Sequence, residues 1–238
     1  MTESEVTFSN WVQDGLKLLL CRPGVWLNYF LLVSVLLSVG RISLALGIIF
    51  SAFSFLMTVS IAAYVNQPQS DETKKTLMDV TRTHAPVAFS MAVMLMLCWF
   101  VFRVVFNVYS GEPEKIISFF FDWQLFDQSI INQGIREYSG WLFRAAIVTL
   151  IFLILMLTSF VSWFSYPLMV CQGLNWSEAK HRGKAMTQAF YGVCQKQLAF
   201  SFFLAIVATG VSPFLTPLIY IFIGVLLYVS YADINRYY

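Results

Sequence analysis

A basic stretch near the end of the chain is the first place to look for chemistry. Residues 173–197, GLNWSEAKHRGKAMTQAFYGVCQKQ, hold four of the fifteen Lys and Arg residues and one of the two His, although only 12% of the chain is charged. Lysine and arginine bind phosphates, and histidine serves as a general base near neutral pH. The stretch is therefore the first candidate for a catalytic or nucleic-acid-binding site.

The other residues that could do chemistry lack partners at a useful spacing. Neither His84 nor His181 has a nucleophile or a metal ligand at a fitting distance in the sequence. The cysteines form no C-x-x-C pair, and G-x-S-x-G, H-E-x-x-H and glycine-rich phosphate loops do not occur. We therefore expect a protein that is not an enzyme and that uses no metal or cofactor. We also expect no disulfide among Cys21, Cys98, Cys171 and Cys194.

The composition is that of a membrane protein. Hydrophobic residues make up 58% of the 238 positions and charged residues 12%, whereas soluble domains have roughly 45–50% and about 25%. The net charge of +2 is small and its basic residues are dispersed, which excludes the strongly basic face of a nucleic-acid-binding protein. The lipid bilayer is the expected surroundings of most of the chain.

Long stretches without charge predict the membrane spans, because a helix needs about 20 apolar residues to cross the hydrocarbon core. The last stretch is too long for one helix and is broken at Pro213 and Pro217, each of which removes a backbone donor. The two helices that result either span or form a re-entrant hairpin, and we favour spanning. The six predicted helices are 25–39, 44–65, 87–109, 145–166, 198–211 and 218–231.

The predicted fold class is an all-α, polytopic integral membrane protein with about six transmembrane helices in three hairpins, each preceded by a cytosolic amphipathic helix. Basic residues favour the cytosolic side. With both termini inside, ten of the fifteen lie there, which predicts an N-in, C-in orientation. The single membrane domain, 1–238, divides into a cytosolic helix 8–22, a first hairpin 25–65, a cytosolic loop or helix 70–84, a second hairpin 87–166 with an external aromatic segment 110–143, a basic interfacial helix 173–197 and a proline-broken third hairpin 198–231.

The basic stretch has the pattern of an interfacial helix. Trp176, Ala179, Gly183, Met186, Phe190 and Val193 follow one another at three or four residues and form one apolar stripe. Asn175, three residues before Glu178, is placed to cap the start of this helix. A similar stripe in the predicted cytosolic helix 8–22 runs through Phe8, Trp11, Val12, Leu16, Leu19 and Leu20. The residues predicted to bind lipid headgroups and to fix the topology are Lys74, Lys75, Lys180, Arg182 and Lys184.

The external segment is the predicted recognition surface. It is acidic and aromatic, and its apolar residues recur at helical spacing, which indicates a helix on the outer leaflet. Arg103 is the one charge inside a predicted span, where it either snorkels to the outer interface, pairs with Asp122 or Asp127, or contacts a partner. The candidates for partner binding are Arg41, Arg103, Phe119, Asp122, Trp123, Phe126, Asp127, Arg136 and Glu137.

Short basic amphipathic helices before hairpins, with WSEAKHRGKAM before the fifth span, resemble the layout of six-helix bacterial inner-membrane proteins of uncharacterised function. The chain is also similar in size and layout to polytopic immunity proteins, which protect a cell from pore-forming effectors of type VI secretion. The resemblance covers architecture and implies no particular functional residue.

Three functions fit these observations. The first is an inner-membrane immunity protein that binds and neutralises a membrane-active toxin, since binding of this kind needs shape and not a catalytic group. The second is a channel or carrier for an uncoupled small solute, which a water-filled cavity at mid-membrane would support and a solid bundle would oppose. The third is an assembly or scaffold factor whose basic helices hold lipid or a membrane subunit.

Overall fold

The computed structural model describes residues 6–38, 43–67, 76–112, 116, 120, 135–211 and 215–237, with the backbone alone at 135–145, 160 and 208–211. Within these residues the secondary structure is entirely helical. The helices in chain order are α1 (Phe8–Cys21), α2 (Pro23–Ser38), α3 (Leu44–Val65), α4 (Leu77–Tyr109), α5 (Ile135–Met156), α6 (Ser165–Gln172), α7 (Trp176–Ala189), α8 (Tyr191–Val211) and α9 (Thr216–Ile234), with a π-helical turn at Leu157–Val161 after α5.

Three helices, α3, α4 and α9, are each long and apolar enough to cross a membrane. Two further pairs reach that length only together, and both are sharply bent: α1 meets α2 at 95°, and α7 meets α8 at 99°. The described part of the chain therefore contains three candidate spans, or up to five if each bent pair forms one. The bends place α1 and α7 at nearly right angles to the helices that follow them, and the cytosolic, interfacial position of α1 and α7 stays a prediction.

Helix α3 forms the centre of the bundle and packs against α2, α4, α5 and α9. Its contact with α9 is close because Gly224 has no side chain: a Cβ atom added there would lie 2.7 Å from Cβ of Thr58. The hydroxyls of Ser54 and Thr58 donate to carbonyls one turn earlier in α3, at 2.7 and 2.9 Å, so these small polar residues are satisfied within their own helix. Small residues of this kind let membrane helices approach closely.

Buried tyrosine hydroxyls join the helices around α3. Tyr29 of α2 donates to the backbone carbonyl of Ser54, and Tyr220 of α9 donates to the carbonyl of Ala146 in α5. The hydroxyls of Tyr166 and Ser60 lie 3.2 Å apart. Each bond satisfies a polar group that would otherwise be costly in an apolar interior, so these contacts fix the neighbours of α3 in one arrangement.

The predicted stripe of the basic stretch is confirmed, since α7 buries Ala179, Gly183 and Met186. The predicted cap is also present: the backbone N–H of Glu178 donates to Oδ1 of Asn175 at 2.9 Å. The first stripe is only partly correct, because α1 buries Trp11, Gly15 and Leu18 while Leu16 and Leu20 are exposed. The buried face of α1 is set by its contact with α9, where Gly15 fits against Leu226.

Helix α4 differs from the predicted loop or helix at 70–84 followed by a span from Val87. One helix of 33 residues runs through both parts, beginning at a capping box between Thr76 and Asp79. Pro86 lies inside it. A proline removes one hydrogen bond of a helix, but the described helix continues past it, so its length of about 50 Å exceeds the hydrocarbon thickness.

The other boundaries differ in a similar way. The predicted helix 145–166 is divided by the π-helical turn and by a break at Ser162, after which α6 begins. Helix α8 starts at Tyr191, seven residues before the predicted 198, and carries Lys196 exposed on its surface. The proline-rich break is consistent with the prediction: α8 ends at Val211, and α9 begins at Thr216 with a proline in its first turn.

Candidate functional site

Most of the residues predicted to bind a partner lie outside the described residues. These are Arg41, Phe119, Asp122, Trp123, Phe126 and Asp127, together with Lys74 and Lys75 of the predicted headgroup set. Arg136 and Glu137 belong to the helical backbone of α5, with their side chains outside the described part. Of the predicted recognition set, the structure therefore describes the side chain of Arg103 alone.

Arg103 lies in the C-terminal half of α4 and is half-buried. Asn107, one turn later, is buried, and its Nδ2 has no acceptor among the residues that the structure describes. The other face of this half-helix is a broad apolar surface, which we call the α4 stripe. Its members, each at least 59% exposed, are Val101, Phe102, Val105, Phe106, Val108 and Tyr109.

The predicted basic cluster on α7 is divided between two roles. Arg182 turns toward the bundle, where its Nη1 donates to Oε1 of Gln172 at 2.8 Å. Gln172 in turn donates through Nε2 to Oδ1 of Asn235 at 2.7 Å, beyond the end of α9. Arg182 is therefore part of a network that fixes α7 to α6 and α9, and it is not a free surface charge.

Lys180 and Lys184 face the opposite way, into a cavity of about 450 Å³ between α7, the start of α8 and the end of α5. They lie one helical turn apart, and neither forms an ion pair with a residue in the described ranges. Two like charges at this spacing repel each other slightly. An anion placed between them would relieve that repulsion. The lining residues are Thr158, Ser159, Val161, Ser162, Trp163, Lys180, Lys184, Thr187, Gln188, Tyr191, Gln195 and Leu198.

The backbone on the other side of this cavity is irregular. After the π-helical turn at Leu157–Val161, Ser162 adopts a φ of 117°, which side-chain-bearing residues rarely adopt. The N–H of Ser162 donates to the carbonyl of Leu157 at 2.8 Å and closes the turn. π-Helical turns and strained residues concentrate at functional sites, so this break makes the cavity a candidate functional site.

Two polar groups in the wall of this cavity lack partners within the described part of the chain. They are the indole Nε1 of the fully buried Trp163 and the hydroxyl of Ser162. Sequence reasoning missed both, because they lie in a charge-free run that reads as an ordinary span. The only local signal that the helix is interrupted there is the segment SWFSYP, residues 162–167, in which two serines and three aromatic residues precede Pro167.

No cluster of three or more His, Cys, Asp or Glu residues fit for a metal occurs within the described ranges. In comparisons with known proteins, no family model, curated protein or solved structure matches the chain. What the helices define is a class: a helical protein with several segments long and apolar enough to span a membrane. The lysine-lined cavity and the α4 stripe are the two features of the described residues that could bind another molecule.

Proposed function

We propose that this chain is a multi-pass, six-span protein of the bacterial inner membrane, oriented N-in and C-in. In this proposal it acts by binding and not by catalysis: it protects its own cell by holding a membrane-active or pore-forming toxin within the bilayer. The observation that carries the proposal is the α4 stripe, a wide apolar surface beside a half-buried arginine at the end of α4 that this orientation places outside.

The α4 stripe has the composition of a protein interface. Phe102, Phe106 and Tyr109 supply large side chains, and aromatic residues with arginine are enriched at the centres of interfaces. Arg103 adds a charge that is costly in hydrocarbon unless it finds a carboxylate or carbonyl. An apolar segment of a toxin with one such group would match both features, whereas lipid tails match only the first.

The interior favours binding over conduction of a solute. The contact between α3 and α9 is closed, since Gly224 approaches Thr58 and the side chain of Phe55 is fully buried between the helices. The helix packing around α3 is completed by tyrosines that bond to neighbouring backbones. A solute pathway needs an open passage, and the contact between α3 and α9 leaves none, whereas binding at the outer surface needs no passage.

A toxin challenge tests the proposal directly. Cells that lack the gene are mixed with neighbours that secrete a type VI pore-forming effector, and survival is counted. Cells that lack the gene should die, and cells that express the wild-type chain should survive. If deleted cells survive as well as wild-type cells under attack by these neighbours, the proposal is wrong.

Substitutions on the α4 stripe make the test specific. Val105→Ala with Phe106→Ala should remove most of the protection, because the anchors of a stripe carry most of its binding energy. The matched control is Leu27→Ala with Leu31→Ala, which truncates an equally exposed apolar face of α2. Both variants must accumulate in the membrane at wild-type levels. Equal protection by the two variants would show that the α4 stripe does not bind the toxin.

A further inference from the structure

We propose that the lysine-lined cavity, at the break between α5 and α6, binds one anionic phospholipid. Its phosphate lies between Lys180 and Lys184, and one acyl chain enters a second, apolar cavity beside the first. On α4 the site uses Met91, Met94, Leu95 and Cys98, in the middle of that helix, and none of the residues of the α4 stripe, so the inference does not depend on the proposed protection against a toxin.

The second cavity has a volume of about 260 Å³ and lies between α4, the end of α5 and the start of α7. Three of its lining residues are methionines, whose flexible thioethers adapt to irregular apolar ligands. The full lining is Met91, Met94, Leu95, Cys98, Met156, Val161, Trp176 and Lys180. Apart from the lysine, these side chains suit a hydrocarbon chain.

The two cavities are neighbours, because Val161 and Lys180 line both. One cavity is rich in hydroxyls, amides and lysines, and the other is apolar. A free phosphate would use only the first, and a neutral hydrocarbon would use only the second. A molecule that fills both must be amphipathic with an anionic head, which is the chemistry of an acidic phospholipid.

Donors for the headgroup come from both walls of the lysine-lined cavity. The ammonium groups of Lys180 and Lys184 offer three donors each, and the amides of Gln188 and Gln195 offer more. On the opposite wall, Trp163 has an indole N–H without an acceptor among the described residues. Phosphate and ester oxygens accept hydrogen bonds and carry no donors of their own, so they complement this set.

The direction of α7 fits this ligand. It meets α8 at 99° and buries Ala179, Gly183 and Met186 against the bundle. An amphipathic helix of this kind lies at the headgroup level of a bilayer. Lys180 and Lys184 are then at the depth of lipid phosphates, and the apolar cavity extends toward the hydrocarbon.

Lipid binding to the purified full-length chain in a neutral detergent tests the inference. Native mass spectrometry counts the bound molecules of phosphatidylglycerol and of phosphatidylcholine, and dissociation constants follow from titration. We expect one tight site with at least about ten-fold preference for phosphatidylglycerol. The variant Lys180→Gln with Lys184→Gln should lose that preference. Lys196→Gln, which removes an exposed lysine that does not line the cavity, should keep it.

A second pair of variants tests the apolar cavity. Met94 and Leu97 are both 50% exposed on α4, but only Met94 lines the cavity. Met94→Trp should weaken phosphatidylglycerol binding by about ten-fold as it fills the space, and Leu97→Trp should have no effect. Monodisperse elution and an unchanged helical circular dichroism spectrum confirm that each variant is folded.

Three results would overturn the inference. Equal affinity for the two lipids would mean that the site does not recognise a negative headgroup. Equal losses in Lys196→Gln and in the double variant would mean that only the overall surface charge attracts the lipid. Displacement of the lipid by millimolar inorganic phosphate, with Met94→Trp binding as wild type, would identify a site for free phosphate instead.

Discussion

The indole of Trp11 and the carboxylate of Asp233 are joined by a hydrogen bond of 2.7 Å between Nε1 and Oδ2, although 222 positions separate them in the chain. Trp11 is fully buried in α1, and Asp233 lies in the last turn of α9. A second contact at this end of the bundle places the guanidinium of Arg22 5.3 Å from the ring centre of Tyr64. The amphipathic helix α1 is thus fixed to the ends of two buried helices.

Trp11→Phe should lower the free energy of unfolding by about 1.5–3 kcal/mol, since it removes a hydrogen bond to a charged acceptor. Asp233→Asn keeps an acceptor oxygen and should cost less. Thermal unfolding in detergent, followed by circular dichroism, measures both changes. Trp11→Phe combined with Asp233→Ala should cost less than the sum of the single changes. Strictly additive losses would mean that the bond does not contribute.

Gly224→Ala should destabilise the bundle by about 1–3 kcal/mol, because the new Cβ would lie 2.7 Å from Cβ of Thr58. Gly15→Ala is the matched control, since its new Cβ would meet the mobile end of Leu226 at 3.3 Å. Thr58→Ala should not rescue Gly224→Ala, because alanine retains the Cβ that is in the way. Equal melting temperatures for the two glycine variants would contradict this account of the contact between α3 and α9.

The parts of the fold that follow from the sequence are those set by local patterns. Helix α3 has the predicted bounds, Leu44 to Val65, because it is an uncharged apolar run that no proline interrupts and whose one glycine, Gly47, lies in the first turn. The start of α7 was also predictable, since Asn175 is a good capping residue and lies at the right spacing from Glu178. These features need no knowledge of the neighbouring helices.

The candidate site could not be predicted in the same way, because contacts between distant segments create it. The break at Ser162 lies in an uncharged run, and it fits under α7 where Gly183 leaves room for it. The sequence places Lys180, Arg182 and Lys184 in one basic cluster. Only the fold shows that Arg182 bonds to Gln172 while the two lysines line a cavity.

Arg182→Leu should lower the free energy of unfolding by about 1 kcal/mol, because Gln172 would lose the donor at 2.8 Å that connects α7 to α6. The same change should leave phosphatidylglycerol binding near the wild-type level, since Arg182 does not line the lysine-lined cavity. Melting curves and lipid titrations on one preparation check both expectations. A variant with normal stability and weakened lipid binding would reverse the roles that we assign to Arg182 and the lysines.

Ser162→Gly should stabilise the protein by about 1 kcal/mol. Glycine adopts a φ of 117° without the strain that serine carries there, and this gain exceeds the added flexibility of the unfolded chain. Ser159→Gly, in the π-helical turn of the same cavity wall, is the control and should be destabilising. If Ser162→Gly melts below the wild type, then its hydroxyl makes a contribution that outweighs the backbone strain.

Single-cysteine variants should report the orientation of the chain. Cys21 and Cys171 are exposed at the ends of α1 and α6, whereas Cys194 is buried. With N-in and C-in topology, a membrane-impermeant maleimide should label Cys21 and Cys171 in inverted vesicles and not in intact spheroplasts. Cys171 should react more slowly than Cys21, because burial raises the pKa of its thiol to about 12 and the thiolate is the reactive form. Cys194 should react only after denaturation. Cys98, exposed on the apolar surface of α4, should react slowly from either side, because a membrane-impermeant reagent does not enter the hydrocarbon that would cover this surface. Labelling of Cys21 in spheroplasts would show that the predicted orientation is wrong, and the α4 stripe would then face the cytosol.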